Sequence, residues 1–289
     1  MLRYIRRWVF AGIIALNVPA VSVAGTVEPT LHIEKGAASS PQVALTLDLC
    51  MGDIDLRIFD ILVSRQIKAT LFVTARWLRR NKPAVDVIKA HPDLFEVANH
   101  GKNHVPAIDN QPDIYGLKTA GSLEAVCEEV RGGEEGLANA GFPQSKWYRD
   151  AAARYSDDAI KLVHAMGYEI GGFSLNADMG ASLPAKTVAR RISSAKNGDV
   201  IIAHMNQPKR ASGQGVADGI LELEKKGFSF VKLSDAVKPV ERQTSVSDCN
   251  ALQGIKAVDK KTVLQEKNPL QKTNRLDGAS TLSGKIDGQ

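Results

Sequence analysis

The stretch Val43-Ala-Leu-Thr-Leu-Asp-Leu49 decides the fold. Its residues are apolar or β-branched except for one carboxylate, which is typical of a strand buried on both faces in a parallel sheet. Similar short runs recur along the chain and alternate with segments of helical period. Strands are predicted over 43–49, 69–74, 94–98, 147–149, 168–175, 199–204 and 228–232, and helices over 56–65, 84–90, 123–138, 157–166, 185–195 and 216–225.

The alternation of strands and helices predicts an α/β fold. Parallel strands need crossover connections, and helices supply them. The expected architecture is about seven parallel strands wound into a barrel or an open sheet. In sheets of this kind, functional side chains lie at the carboxyl ends of the strands.

Residues 1–24 have the pattern of a secretory signal. Three arginines precede an apolar run, and Ser22-Val23-Ala24 offers small residues for cleavage after Ala24. The run is shorter than the ~20 residues that span a bilayer, which disfavours the alternative of an uncleaved anchor. We therefore expect a periplasmic or extracellular protein with no transmembrane segment after signal cleavage.

The rest of the chain divides into a lead-in (25–40), one folded domain (41–237) and a tail (238–289). The tail has no aromatic residue and no apolar period. Such a segment buries too little surface to offset the entropy of ordering, so we expect it to be disordered. A docked helix over 261–266 is the alternative.

The formal net charge of +5 does not belong to the domain. The signal segment contributes three positive charges and the tail contributes a net three, which leaves −1 on residues 25–237. A nucleic-acid partner requires a basic folded surface. The charge balance therefore gives no ground for such a partner.

The chain has three cysteines, Cys50, Cys127 and Cys249. In an oxidising compartment at most one intramolecular disulfide can form among them. A Cys50–Cys127 bond is one possibility, but the sequence does not select the pair.

Five polar residues follow predicted strands. Asp48 ends the first strand, Arg149 the fourth and His204 a later one. His100 and His104 follow the third strand, and their i, i+4 spacing lets both imidazoles face one centre if the backbone turns helically. A carboxylate, two histidines, an arginine and a distant histidine form a candidate metallohydrolase site.

The order and spacing of these residues resemble the polysaccharide deacetylase family, also called the NodB homology domain or family-four carbohydrate esterases. The resemblance covers roughly residues 41–237. It rests on segments 44–48, 68–73, 96–104, 148–149, 198–204 and 227–233. It implies a distorted (β/α) barrel and metal-dependent hydrolysis of N-acetyl groups on a glycan.

The resemblance implies a role for each of the five residues. Asp48 would take a proton from the attacking water, and Arg149 would keep it ionised. His204 would protonate the leaving amine. His100 and His104 would hold a divalent ion, for which Zn, Co, Mn and Fe are equally suitable.

Two further positions follow from the family pattern. The backbone amide near Ala152 would bind the oxyanion, and Ile202 would line the pocket for the acetyl methyl group.

The sequence also departs from the family pattern. Leu49 stands where the family has a second aspartate that binds the metal. Asp53 is the preferred substitute, with Asp55, Cys50 or a water molecule as alternatives.

Two later motifs differ as well. The third continues as Asp150-Ala-Ala-Ala153 instead of a proline-rich run with an aromatic residue. The fourth reads Asn176-Ala-Asp-Met179, in which Asp178 partly replaces the expected carboxylate.

These observations lead to one preferred hypothesis and two alternatives. The preferred function is a secreted, metal-dependent deacetylase of an N-acetylglucosamine-containing glycan, such as peptidoglycan or another N-acetylated polysaccharide. The altered motifs leave open a glycan-binding homologue with impaired catalysis. A hydrolase of a non-sugar C–N amide is the third possibility.

Overall fold

The computed structural model of the chain describes residues 25–34, 40–240 and 244–252. The predicted signal 1–24 and the alternative helix 261–266 lie outside the described residues.

Strands and helices follow one another as the sequence pattern predicts. The strands are β1 (Gln42–Leu49), β2 (Ala69–Val73), β3 (Phe95–Asn99), β4 (Asp113–Ile114), β5 (Leu117–Lys118), β6 (Trp147–Tyr148), β7 (Glu169–Ile170), β8 (Leu175–Asn176), β9 (Val200–His204) and β10 (Ser229–Val231). The helices are α1 (Leu56–Ser64), α2 (Ala75–Arg80), α3 (Lys82–Ala90), α4 (Leu123–Asn139), α5 (Asp157–Ala165), α6 (Ala185–Ser193), α7 (Ser212–Lys225) and α8 (Leu233–Ala236), and a 3₁₀ turn covers Cys249–Ala251.

Eight of the strands form one curled parallel sheet. Its order is β7-β6-β3-β2-β1-β9-β8, and β10 pairs with the first three residues of β1. Strands β4 and β5 form a separate antiparallel hairpin in the loop between β3 and α4. The predicted α/β class and its parallel, barrel-like sheet are confirmed.

The predicted strand 168–175 is divided into two. Its halves, β7 and β8, lie at opposite edges of the sheet although only residues 171–174 separate them. A connection of this length spans at most roughly 18 Å, so the two edges must approach each other. The sheet therefore curls into a barrel with a narrow seam at 171–174.

Alternation along β1 separates the packing layers. Val43, Leu45, Leu47 and Leu49 pack into the core shared with the surrounding helices, whereas Ala44 faces the apolar cluster inside the barrel. Since side chains alternate along a strand, Asp48 points to the same side as Ala44. Leu49 is fully buried in the outer core, where a leucine contributes about 1.5–3 kcal/mol.

The lead-in covers the seam of the barrel. Val27 bridges Tyr155 and His32 bridges Asp199, both in antiparallel fashion, and the amide of Leu31 donates to the carbonyl of Phe173 (3.4 Å). A Cβ at Gly172 would lie 2.3 Å from the carbonyl oxygen of Pro29. This close approach requires glycine.

A disulfide joins Cys127 in α4 to Cys249. The sequence left the pair open, and the structure selects this one and leaves Cys50 as a free thiol. The amides of Ser245 and Val246 also donate to the carbonyl of Ala165, at 2.8 and 3.1 Å. The part of the predicted tail around 245–249 is therefore attached to α4 and α5.

No helix in the described part of the chain is both long and apolar enough to cross a membrane.

Candidate active site

The carboxylate of Asp48 and the guanidinium of Arg149 form a buried ion pair inside the barrel. Nη1 of Arg149 donates to Oδ1 of Asp48 at 2.7 Å and to the hydroxyl of Thr46 at 3.0 Å. Its Nε donates to the carbonyl of Gly171 at 2.7 Å, and the guanidinium lies 4.0 Å from the centre of the Phe72 ring. Burial alone raises the pKa of Asp48, but Arg149 lowers it to below its ordinary value. Asp48 is therefore an anion at neutral pH, as a general base requires.

His100 is oriented from behind by the main chain. Its Nδ1–H donates to the carbonyl of Arg149 at 2.7 Å. The opposite nitrogen, Nε2, lies 3.4 Å from Sγ of Cys50 and 3.9 Å from Oδ2 of Asp48. Burial lowers the pKa of His100, but Asp48 and Cys50 outweigh it and raise the value to about 9. The surroundings thus favour a positive charge at Nε2, whether a proton or a metal ion.

His104 reaches the same place through a loop and not through a helical turn. The segment from His100 to His104 has no helical structure, and Gly101 and His104 adopt positive φ values of 85° and 67°. The two imidazole centres lie 5.1 Å apart, nearly perpendicular to each other. The predicted convergence of the two histidines occurs, but by a tighter backbone path than i, i+4 spacing implies.

Glu129 on α4 holds this loop in position. Its Oε1 accepts the amide of Asn103 at 2.7 Å and the amide of Val105 at 3.2 Å, on either side of His104. Sequence reasoning missed this residue. The signal was an acidic residue on the apolar face of the predicted helix 123–138, next to Val126 and Val130, and Glu129 is indeed buried.

Cys50 completes a cluster with the two histidines. One ligand atom from each of Cys50, His100 and His104 lies within 4.8 Å of the others. Burial raises the pKa of the Cys50 thiol, but His104 and His100 lower it to well below its ordinary value. The thiolate is the form that binds metal ions.

Neither of the predicted aspartate substitutes lies in this cluster. Asp53 lies at the surface with 61% of its side chain exposed, and it pairs with Arg80 at 2.9 Å. Asp55 caps α1 and pairs with Arg57 at 2.6 Å. The chain turns outward after Cys50, so the structure places Cys50, in preference to Asp53, beside the histidines.

His204 pairs with Asp178. Nδ1 of His204 lies 3.0 Å from Oδ1 of Asp178, and the His204 amide donates to the other carboxylate oxygen at 2.7 Å. Burial lowers the pKa of His204, but Asp178 raises it to well above its ordinary value. Asp178, the residue predicted to replace the family's carboxylate in part, therefore lies against His204 and favours its charged form.

The Ala152 amide, which the family pattern predicts to bind the oxyanion, already has a hydrogen-bond acceptor in the structure. The amide of Ala152 donates to Oδ1 of Asp150 at 3.2 Å, so it is engaged within its own turn. Asp150 also accepts the amide of Ala107 at 2.8 Å, and burial raises its pKa to about 7. Ile202 lies in the apolar cluster inside the barrel, together with Phe72.

The three clustered side chains fit a divalent metal ion. Both ring nitrogens of His104 are buried and have no hydrogen-bond partner among the described residues. Such orphaned groups are costly unless something binds them. One sulfur and two nitrogen donors suit zinc or cobalt, and the hydrogen bond from His100 to Arg149 is the outer support that metal-binding histidines usually have.

Comparison with known proteins agrees with the resemblance stated from the sequence. Residues 35–171 match the model of the family described as polysaccharide deacetylase. The chain is 25% identical over 216 residues to the uncharacterized protein YlxY of Bacillus subtilis (strain 168). That match covers 71% of this chain, which spans 62% of the length of YlxY.

Two solved structures show the same fold. One is the Bc1960 peptidoglycan N-acetylglucosamine deacetylase, with a TM-score of 0.57, 18% identity and coverage of 74% of this chain and 94% of that one. The other is BA3943 from Bacillus anthracis, a pseudoenzyme of the CE4 family, with a TM-score of 0.54, 17% identity and coverage of 70% and 66%. The match to the family model bears out the resemblance seen in the sequence, and the two solved structures share the fold.

Proposed function

From the polysaccharide deacetylase domain that this chain carries, we propose that it is a metal-dependent hydrolase that removes acetyl groups from an N-acetylglucosamine-containing glycan. The observation that carries the proposal is the position of Asp48. Its Oδ2 lies 3.9 Å from Nε2 of His100, beside the Cys50–His100–His104 cluster.

Cys50, His100 and His104 would hold a divalent ion, which would supply Lewis-acid chemistry by polarising an acyl oxygen and making water more acidic. Asp48 accepts the proton of the attacking water at Oδ2, because Oδ1 is bound to Arg149. The oxygen of that water bonds to the acetyl carbon, and the C–N bond then breaks.

His204 donates the proton that the departing amine needs. Its Nδ1 is held by Asp178, so Nε2 is the nitrogen that carries out the transfer. The products are acetate and a free amino group on the sugar. Ile202, in the apolar cluster inside the barrel, would line the pocket for the acetyl methyl group.

We place the protein in the periplasm or outside the cell. The signal-like segment 1–24 supports this location, and so does the disulfide between Cys127 and Cys249, because such bonds persist in oxidising compartments.

A second candidate is a glycan-binding protein with impaired catalysis. Leu49 packs in the outer core and cannot bind a metal, and the Ala152 amide is engaged with Asp150. The similarity to the fold of a CE4 pseudoenzyme is a further reason to keep this candidate.

Acetate release from an N-acetylglucosamine hexamer, measured with the zinc-loaded protein, separates the two. We expect release in the native protein and a loss of about 10²–10⁴-fold in Asp48→Asn, because the base is removed. Asp53→Asn is the matched control, since Asp53 lies on the surface, and it should keep full activity. Release that persists in Asp48→Asn would overturn the role of Asp48, and no release by the metal-loaded native protein would favour the binding protein.

A further inference from the structure

Positive charge is concentrated on the face where the strands end. The loops that follow β1, β2, β3, β6, β8 and β9, together with the short helix α2 and the first turns of the other helices that these loops enter, carry eight exposed cationic side chains, which are Arg76, Arg79, Arg80, Lys102, Lys118, Lys186, Lys209 and Arg210. The exposed acids of the same segments are four, Asp53, Asp113, Asp157 and Asp158, so cations outnumber acids by eight to four. Residues 25–237 together carry a net charge of −1, so this face is positive because the charges are unevenly distributed.

The first group of cations lies against the histidine loop. The amide of Arg76 donates to the carbonyl of Lys102 at 3.2 Å, and Lys102 is two residues from both His100 and His104. Arg79 lies one turn further along α2, on the same face as Arg76. Within the described residues, an ion pair neutralises Arg80, through Asp53, but none neutralises Arg76, Arg79 or Lys102.

The second group lies beside the His204–Asp178 pair. Lys209 and Arg210 are in the loop that follows β9, five and six residues after His204. Nη1 of Arg210 contacts the carbonyls of Gly180 and Ala181, at 3.5 and 3.4 Å, in the loop that follows Asp178. These are neutral acceptors, so the charge of Arg210 remains available to a ligand.

We propose that the N-acetylated glycan bound at this site is anionic and carries carboxylates on sugars next to the one that is deacetylated. This inference rests on the proposed function and names its substrate class. In the sheet, β2 and β3 lie on one side of β1, and β9 and β8 lie on the other, so the first cationic group, beside the His100–His104 loop, and the second, beside Asp178, flank the strand that carries Asp48. A chain that crosses this site meets both, and such an arrangement raises the local concentration of an anionic substrate. Uronic acids and the lactyl or peptide carboxylates of peptidoglycan share this chemistry.

The test compares three N-acetylglucosamine substrates in acetate release by the zinc-loaded full chain. They are a neutral N-acetylglucosamine hexamer, a hyaluronan hexasaccharide with alternating glucuronates, and soluble peptidoglycan strands with free carboxylates. We expect kcat/KM to be about tenfold or more higher for at least one anionic substrate, and this preference should disappear between about 0.02 and 0.5 M NaCl. Preference for hyaluronan or for peptidoglycan identifies the source of the carboxylates.

Charge reversal tests the two cationic groups. The double variant Arg76→Glu/Arg79→Glu and the single variant Lys209→Glu should each lower the ratio of anionic to neutral kcat/KM, the double variant by about tenfold. Lys89→Glu/Lys146→Glu, on the opposite end of the barrel, is the control with the same change in charge and should keep the ratio. Circular dichroism and Tm verify that each variant is folded.

Failure of this inference is distinct from failure of the proposed function. Equal or higher kcat/KM on the neutral hexamer overturns the inference and leaves deacetylation standing. If no substrate releases acetate, the affinities of the native protein for the same three glycans test whether the site prefers anionic glycans. Weaker or equal binding of the anionic ones, or binding that charge reversal does not change, also overturns the inference.

Discussion

Cys50 is the residue at which the structure changes the sequence interpretation most. The family pattern draws attention to carboxylates, and Asp53 was the preferred substitute for the missing ligand. The pleat of β1 explains why the thiol is better placed, because Leu49 points to the outer core and the next residue returns to the inner side. Cys50 is one of the alternative ligands that the sequence offers, and the pleat is a ground for preferring it, but the outward turn of the following loop could not be derived from spacing.

The ligand role of Cys50 can be tested without measuring activity. Cobalt(II) bound to a thiolate gives a sulfur-to-metal charge-transfer band in the near ultraviolet. We expect this band in the native protein and its loss in Cys50→Ser, together with zinc binding that is about 10–100-fold weaker.

Cys50→Asp is the matched control. It restores a carboxylate donor, so it should bind cobalt(II) without the charge-transfer band. A band that persists in Cys50→Ser would show that the thiol is not a ligand.

The sequence could place Asp48, Arg149 and His204 at one edge of the sheet because each lies at the end of a strand, where parallel sheets collect their functional groups. The role of Asp150 in engaging the Ala152 amide could not be derived from the sequence. This role depends on the conformation of the turn that follows Asp150, and a run of alanines does not predict which turn conformation the backbone adopts.

At the scale of the element, α4 supports the site from behind. Its Glu129 binds the backbone on both sides of His104, and its Gly133 packs so closely that a Cβ would lie 2.8 Å from the backbone of Gly101. The sequence predicts α4 from its period, but the contact between this helix and the histidine loop depends on tertiary packing.

Removing the Glu129 side chain should therefore weaken the metal site. In Glu129→Ala two partly buried amides, those of Asn103 and Val105, lose their acceptor, and His104 is no longer fixed. We expect zinc affinity, measured by competition with a chelator, to fall about 10–100-fold.

Glu129→Gln is the informative comparison because it keeps an amide oxygen that can accept both bonds. It should retain most of the zinc affinity at a similar Tm. Equal affinity in Glu129→Ala and the native protein, with both folded, would rule out this positioning role.

The segment 168–175, predicted as one strand, forms the two strands β7 and β8. The residues have the pattern of a single strand. In the structure, however, the carbonyls of Gly171 and Gly172 accept hydrogen bonds from Arg149, and the two Cα atoms pack so closely against Phe72 and Pro29 that no side chain fits. The sequence pattern does not contain the information that the two halves belong to opposite edges.

For the whole molecule, the disulfide joins residues that are 122 positions apart. A cross-link over so long a segment restricts the unfolded chain strongly. We expect Cys249→Ser to lower the free energy of unfolding by about 2–5 kcal/mol, measured by urea denaturation of the metal-free protein.

Reduction provides the control for this prediction. Dithiothreitol should destabilise the native protein by a similar amount and leave Cys249→Ser unchanged. If the native protein is as stable when reduced as when oxidised, the bond contributes nothing to stability.

Strand β1 lies in the interior of the sheet and pairs with β2, β9 and β10, the last of which ends at Val231. Its partners come from both ends of the domain, so the contacts that enclose it are highly non-local. Chains with this kind of topology fold slowly, because loop closure precedes the gain from pairing. A chain truncated at any point before β10 leaves backbone groups at the start of β1 unpaired, so the domain completes its folding only when almost all of it has been made.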